Sequence, residues 1–244
     1  MKVPGGRIEG VAARRVSLTD RAPSPHPHQH PGDTMSTPRR ALVLVDVQQD
    51  YFDGPLEIQF PPREDSLARI AQAVDAATAA GIPVVAVQHV AGEGAPVFDP
   101  TTPGYQIHPE IERRRTPAWT SVTKQYGTVY AGTGLVDWLR EHDVHTVTFA
   151  GYMTNNCILA SVAETETHGL AAEVLSDATG AIHIANSVGS VSAETVHTTL
   201  MAIFQSNLAA VASTDVWAAA VTDGTVLEKD NLVASAMLGA QHAG

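Results

Sequence analysis

From residue 40 onward, short apolar runs alternate with segments of helical periodicity. The first run, residues 41–47, reads ALVLVDV and has almost no polar positions, which is typical of a strand covered on both faces. Further strands are predicted at 83–90, 119–123, 146–150, 172–175 and 209–213. Helices are predicted between them, at 65–80, 134–142, 157–168 and 193–206. This alternation predicts an α/β fold: a three-layer α/β/α sandwich around a six-stranded, mostly parallel, Rossmann-like sheet.

The predicted domain occupies residues 37–222 of the 244 in the chain. Residues 1–36 are rich in proline and arginine and poor in apolar residues, so we expect a disordered tail, with Met35 as a possible true start. Residues 223–244 are expected to form a weakly helical C-terminal extension. The long Gly- and Pro-rich loop at 91–118 is expected to contribute to a functional site.

Composition excludes several classes of function. The net charge is −11, and residues 41–244 carry 8 Lys and Arg against 23 Asp and Glu, which disfavours binding to nucleic acid or to anionic membranes. No apolar run approaches about 18 residues, so we expect no membrane span. A single cysteine fits a reducing compartment. We therefore expect a cytoplasmic protein that acts on a small-molecule substrate.

The only cysteine, Cys157, follows the predicted strand at 146–150 and a glycine, and stands at the start of a predicted helix. A helix N-terminus carries partial positive charge and unpaired N–H groups, which favour a thiolate, the nucleophilic form of cysteine. The alternative is a small buried core residue, the usual fate of a free cysteine.

Two other reactive side chains also stand at the ends of predicted strands. Asp46 ends the first strand and Lys124 follows the third, so both are expected at the same edge of a parallel sheet as Cys157. A carboxylate in an apolar strand needs a cation or a shared proton. A base, an ammonium group and a thiol together predict a cysteine hydrolase. The alternative is a solvated Asp and Lys near a core cysteine.

Three motifs carry a family resemblance: LVDVQQDY at 44–51, KQYGTVYAGTGL at 124–135 and GYMTNNC at 151–157. Over residues 40–220 the chain resembles the isochorismatase-like cysteine hydrolases, which include nicotinamidases, N-carbamoylsarcosine amidases, ureidoacrylate hydrolases and streptothricin hydrolases. The resemblance implies the isochorismatase-like fold and hydrolysis of a non-peptide C–N bond in an amide, lactam or ureido compound, through a thioester.

The resemblance also implies a role for each residue of the site. Asp46 is the base for Cys157, and Lys124 keeps Asp46 ionised and oriented. The backbone N–H groups of Met153 and Cys157 form the oxyanion hole, and the peptide bond between Tyr152 and Met153 is cis.

The expected substrate pocket has aromatic walls from Tyr51, Phe52, Tyr126 and Tyr152, with His89 as a polar contact. Nicotinamidases of the family bind a metal through Asp-x-His after the second strand. Residues 87–92 read VQHVAG and lack that motif, so we predict no metal and no cofactor.

Two other functions remain open from the sequence. One is vinyl-ether hydrolysis of the isochorismatase type, for which Arg113, Arg114 and Arg115 would supply a basic patch for a dicarboxylate. The other is a non-catalytic binding module. A homodimer or homotetramer is expected, because relatives pair through late elements such as the helix predicted at 193–206.

Overall fold

The computed structural model describes residues 37–242; the predicted tail at 1–36 and Met35 lie outside the described residues. The predicted α/β/α sandwich is confirmed. Its strands form a six-stranded sheet in the order β3-β2-β1-β4-β5-β8, in which every neighbouring pair is parallel, plus a separate antiparallel hairpin of β6 and β7. The strands are β1 (Arg40–Val45), β2 (Val84–His89), β3 (Thr120–Lys124), β4 (Thr146–Tyr152), β5 (Ala171–Gly180), β6 (Ile184–Asn186), β7 (Gly189–Val191) and β8 (Ala210–Ala212).

Helices cover both faces of this sheet, as the apolar strands require. They are α1 (Arg63–Ala79), α2 (Pro109–Glu112), α3 (Leu135–Glu141), α4 (Leu159–Thr165), α5 (Ala193–Ile203), α6 (Thr214–Asp223) and α7 (Leu232–His242). Successive side chains of β1 enter opposite layers. Leu42 packs in one core with residues of α1 and α6, and Val43 packs in the other with residues of α3 and α4. Central strand β1 is therefore buried on both sides.

A buried ion pair joins β1 to β5. Arg40 donates to Glu173 from Nε and Nη2 at 2.9–3.0 Å. Glu173 also accepts from Thr148 at 2.7 Å and from the Trp217 indole at 3.1 Å, and Arg40 donates to the carbonyl oxygen of Thr225. This network holds α6 and the segment after it against the sheet.

The structure adds features that the sequence pattern did not predict: α2, α6, the β6–β7 hairpin and the extension of β5 to Gly180. Helix α6 reads TDVWAAAVTD, and its small residues give little amphipathic contrast beyond Trp217. The hairpin is mostly exposed and so lacks the apolar alternation that marks a strand. Among residues 37–242, no helix is both long and apolar enough to span a bilayer.

Candidate active site

The ends of β1, β3 and β4 bring Asp46, Lys124 and Cys157 into contact. Asp46 follows β1, Lys124 is the last residue of β3, and Cys157 lies in a π-helical turn, Thr154–Ile158, after β4. The Lys124 Nζ lies 2.7 Å from Asp46 Oδ2 and 3.1 Å from Cys157 Sγ. None of the three is more than 2% exposed. The predicted juxtaposition is present, and all three side chains are buried.

The backbone of Asp46 adopts a conformation that non-glycine residues rarely use, with φ +49°. Its N–H donates to the Val87 carbonyl at 3.0 Å, and its own carbonyl accepts from the Gln48 N–H at 2.7 Å. Left-handed residues of this kind cost energy and recur at functional sites, where the surroundings hold them in place. Here β2 and the turn at Gln48 hold Asp46 at the edge of the sheet.

The turn that carries Cys157 is attached to the lysine segment. The predicted cis peptide bond between Tyr152 and Met153 is confirmed. In the turn, the Cys157 carbonyl accepts from Ser161 Oγ at 2.6 Å, and that Oγ accepts from the Val129 N–H at 3.0 Å. The buried Ser161 hydroxyl thus joins the loop after Lys124 to the turn. π-Helical turns are rare and are frequent at functional sites.

Burial determines the charge of the thiol. Burial, with a smaller contribution from the nearby Asp46 carboxylate, raises the pKa of Cys157 to about 12, and the Lys124 ammonium only partly opposes both. The expectation of a thiolate stabilised by the helix N-terminus is therefore wrong for the resting state. Burial also raises the pKa of Asp46, again opposed by Lys124. Asp46 is consequently a stronger base than an ordinary carboxylate.

The Lys124 ammonium group has three N–H bonds but four polar neighbours. Besides Asp46 and Cys157, its Nζ lies 2.9 Å from His89 Nδ1 and 3.1 Å from the carbonyl oxygen of Tyr126. Among the described residues, no donor makes a well-directed hydrogen bond to either Asp46 oxygen, so the 2.7 Å ion pair is short but poorly aligned.

A metal would have to compete with this ammonium. Donor atoms of Asp46, His89 and Cys157 lie within 4.8 Å of one another, a set that could hold an ion. The Lys124 Nζ, however, is within 3.1 Å of all three. A second cation between them would be repelled at close range. These residues do not fit a metal while Lys124 is in this position.

The predicted aromatic residues divide into three groups. The Tyr51 ring lies 5.4 Å from that of Tyr152, whose hydroxyl contacts Ser66 Oγ at 2.8 Å, and both tyrosines are buried. The Phe52 ring lies 5.7 Å from that of Tyr152 in an edge-to-face arrangement. The Tyr126 side chain is 61% exposed, and only its carbonyl reaches Lys124. The substrate contacts predicted for these residues remain predictions.

Two residues near the site were not singled out from the sequence. Gln48, fully buried, donates to the His89 carbonyl at 3.0 Å and accepts from the His89 N–H at 2.8 Å. Phe98 lies 5.1 Å from His89 between ring centroids, with φ +55°, and its N–H donates to Asp50 at 2.5 Å. A polar Gln directly after an apolar strand was a usable signal. Phe98 had none beyond its place in the long loop.

The fold and this edge of the sheet define a class: parallel α/β proteins with a thiol, a carboxylate and an ammonium group at the strand ends. The isochorismatase domain model matches residues 40–216, most of the chain. The protein therefore belongs to the isochorismatase family.

Similar proteins include solved and curated members of that family. The crystal structure of a candidate isochorismatase from Burkholderia xenovorans LB400 is 43% identical, with a TM-score of 0.82, over 86% of this chain and 100% of that one. The uncharacterized isochorismatase family protein YddQ of Bacillus subtilis strain 168 is 31% identical over 72% of this chain and 96% of its own length. The nicotinamidase/pyrazinamidase of Mycobacterium tuberculosis is 29% identical over 59% of this chain and 87% of its own.

Proposed function

We propose that this family hydrolase is a cysteine amidase that cleaves a non-peptide C–N bond in a small amide, lactam or ureido compound. The observation that carries the proposal is the position of the Lys124 ammonium, 2.7 Å from the Asp46 carboxylate and 3.1 Å from the Cys157 thiol. A base, a nucleophile and a fixed positive charge in one buried cluster are the parts that covalent acyl transfer needs.

In the proposed reaction, Sγ of Cys157 attacks the carbonyl carbon while its proton passes to the Asp46 carboxylate. The backbone N–H groups of Met153 and Cys157 hold the oxyanion. As the C–N bond breaks, Asp46 returns the proton to the leaving amine, which leaves a thioester on Cys157. Asp46 then takes a proton from water, whose oxygen attacks the thioester. As the C–S bond breaks, the acid is released and Asp46 returns the proton to Sγ of Cys157. The raised pKa of Asp46 suits a carboxylate that alternately accepts and returns a proton.

One further observation supports an amidase, and another supports the expected location. The curated relative from Mycobacterium tuberculosis is a nicotinamidase/pyrazinamidase, an enzyme whose name describes amide hydrolysis. The only cysteine of the chain has to remain reduced in order to act as a nucleophile, which supports the expected cytoplasmic location.

The charges on the surface disfavour the vinyl-ether alternative. Arg113 pairs with Glu110, Arg114 with Glu110 and Asp75, and Arg115 with Glu112. The arginine run therefore forms a neutralised surface cluster, and its charges are already paired before any dicarboxylate arrives. Isochorismate hydrolysis remains the second candidate because the family takes its name from that reaction.

The test is release of ammonia or amine from a panel of primary amides, ureido acids and lactams, with isochorismate as a separate substrate. We expect turnover of one C–N class by the wild type, loss of at least about 1000-fold in Cys157→Ala, and an unchanged unfolding midpoint in that variant. Cys157→Ser, which replaces the thiol with a hydroxyl, is the matched control for the shape of the site. Turnover retained in Cys157→Ala, or turnover of isochorismate alone, would overturn the proposal.

A further inference from the structure

We propose that His89 is a positioning residue that directs the Lys124 ammonium at Asp46 and Cys157; this inference rests on the function proposed above. His89 is the last residue of β2 and Lys124 the last residue of β3, and the two are direct partners in the parallel register. That pairing puts His89 Nδ1 2.9 Å from Lys124 Nζ. The substrate contact predicted for His89 stays a prediction; the contact that its Nδ1 makes in the structure is with Lys124.

The number of donors makes this contact important. An ammonium group has three N–H bonds, and Lys124 Nζ has four neighbours within 3.1 Å: Asp46, His89, the Tyr126 carbonyl and Cys157. Acceptors at His89 and Tyr126 fix two directions in which the ammonium points, and this leaves the third N–H shared between Oδ2 and Sγ. Because the ion pair with Asp46 is poorly aligned, its geometry alone does not fix the ammonium.

His89 is suited to accept from a cation. Partial burial and the Lys124 charge lower the pKa of His89 to about 4, so the ring is neutral at physiological pH. The short contact with Nζ requires the lone pair on Nδ1, which leaves the proton on Nε2. The titratable groups nearest the ring are Lys124, Asp46 and Cys157.

The His89 backbone is fixed by hydrogen bonds, and its ring packs against Phe98. The Gln48 side chain accepts from the backbone N–H of His89 at 2.8 Å and donates to its backbone carbonyl at 3.0 Å. The Phe98 ring packs against the imidazole at 5.1 Å between centroids. The acceptor on Nδ1 therefore comes from a preorganised side chain, as positioning requires.

The test compares His89→Phe, which keeps a ring against Phe98 but has no acceptor, with His89→Asn, whose amide oxygen can take the place of Nδ1. One readout is the rate of iodoacetamide alkylation of Cys157, the only cysteine, across pH 7–10, measured by intact mass as the adduct that Cys157→Ala does not form. This readout does not need a substrate. The other is the split between kcat and KM for whichever substrate the panel finds.

We expect His89→Phe to slow alkylation about tenfold at each pH and to lower kcat by about 10- to 100-fold with KM nearly unchanged, because the ammonium no longer faces Sγ and Asp46. His89→Asn should return both values to within about threefold of wild type. In a Lys124→Met background, His89→Phe should have no further effect, because the coupling acts through the ammonium.

Three results would overturn the proposal: alkylation in His89→Phe at the wild-type rate, equal losses in His89→Phe and His89→Asn, or a change confined to KM. If no amide is turned over but His89→Phe still slows alkylation and His89→Asn rescues it, the amidase assignment fails and the role of His89 stands.

Discussion

Gly151 is the position where the fit between two strands most directly controls the site. It pairs with Val45, the residue before Asp46, and has φ +105°. A Cβ at residue 151 would lie 2.2 Å from the Val45 carbonyl oxygen, 2.8 Å from its nitrogen and 2.9 Å from its carbonyl carbon. All three are backbone atoms, so no side-chain rotation can relieve the contact. Gly151→Ala therefore forces β1 and β4 apart at the strand ends.

The size of the effect follows from these distances. Real Cβ atoms essentially never come within 3.0 Å of such neighbours, so the end of β1 must move by about 1 Å. The unfavourable φ costs about 1–2 kcal/mol, and with the lost strand contacts we expect the free energy of unfolding to fall by about 3–5 kcal/mol. A displacement of about 1 Å at a reacting group typically costs about 100-fold in rate. Asp46 follows Val45 directly, so kcat should fall by at least that factor.

Urea denaturation followed by circular dichroism measures the first effect, and turnover of the panel substrate measures the second. Gly127→Ala is the matched control, because its Cβ would meet Ala160 Cβ at 3.4 Å, an ordinary contact, and its φ is not in the left-handed range. That variant should change stability by less than about 1 kcal/mol. A Gly151→Ala protein with wild-type stability and turnover would refute the argument that this close approach positions Asp46.

Two further predictions test the electrostatics of the core and the site. Since the pKa of Cys157 is about 12, its alkylation in the free enzyme should rise about tenfold per pH unit from pH 7 to 10 without levelling off. A plateau near pH 8 would show that the thiol ionises normally. Glu173→Ala, which leaves Arg40 buried without its partner, should lower the free energy of unfolding by about 3–5 kcal/mol in urea. Removing the exposed partner of Arg140 with Asp137→Ala should cost less than about 1 kcal/mol, and equal losses would contradict this account.

The order of strands and helices along the chain and the reactive residues of the site could be predicted because both leave local signals in the sequence. Buried parallel strands are apolar along their whole length, and reactive groups stand where those runs end. Asp46 follows such a run directly, Lys124 is the last residue of β3, and Cys157 lies in the turn after β4, so the topology brings them to one edge. The cis peptide bond before Met153 was predictable only through the family resemblance.

What could not be predicted depends on contacts between distant parts of the chain. Phe98 reaches the site because Asp50, 48 residues earlier, binds its N–H. Helix α6 is stable because Trp217 fills the core and donates to Glu173, although its own pattern is weak. The prediction of a Cys157 thiolate was wrong for the same reason. A helix N-terminus is visible in sequence, whereas burial and the approach of Asp46 are not.

The neutral thiol and the basic carboxylate have one physical cause, which bears on how the site can work. Burial penalises any charge on Asp46 or Cys157, and Lys124 provides a single positive charge between them. When the thiol proton moves to Asp46, the negative charge moves from Oδ2, 2.7 Å from Nζ, to Sγ, 3.1 Å from Nζ. The net charge of the three groups stays at zero, so the step adds no net charge to the buried site. A small shift of the ammonium therefore changes the balance between the two states directly, which is why its acceptors, His89 above all, should matter for rate more than for substrate affinity.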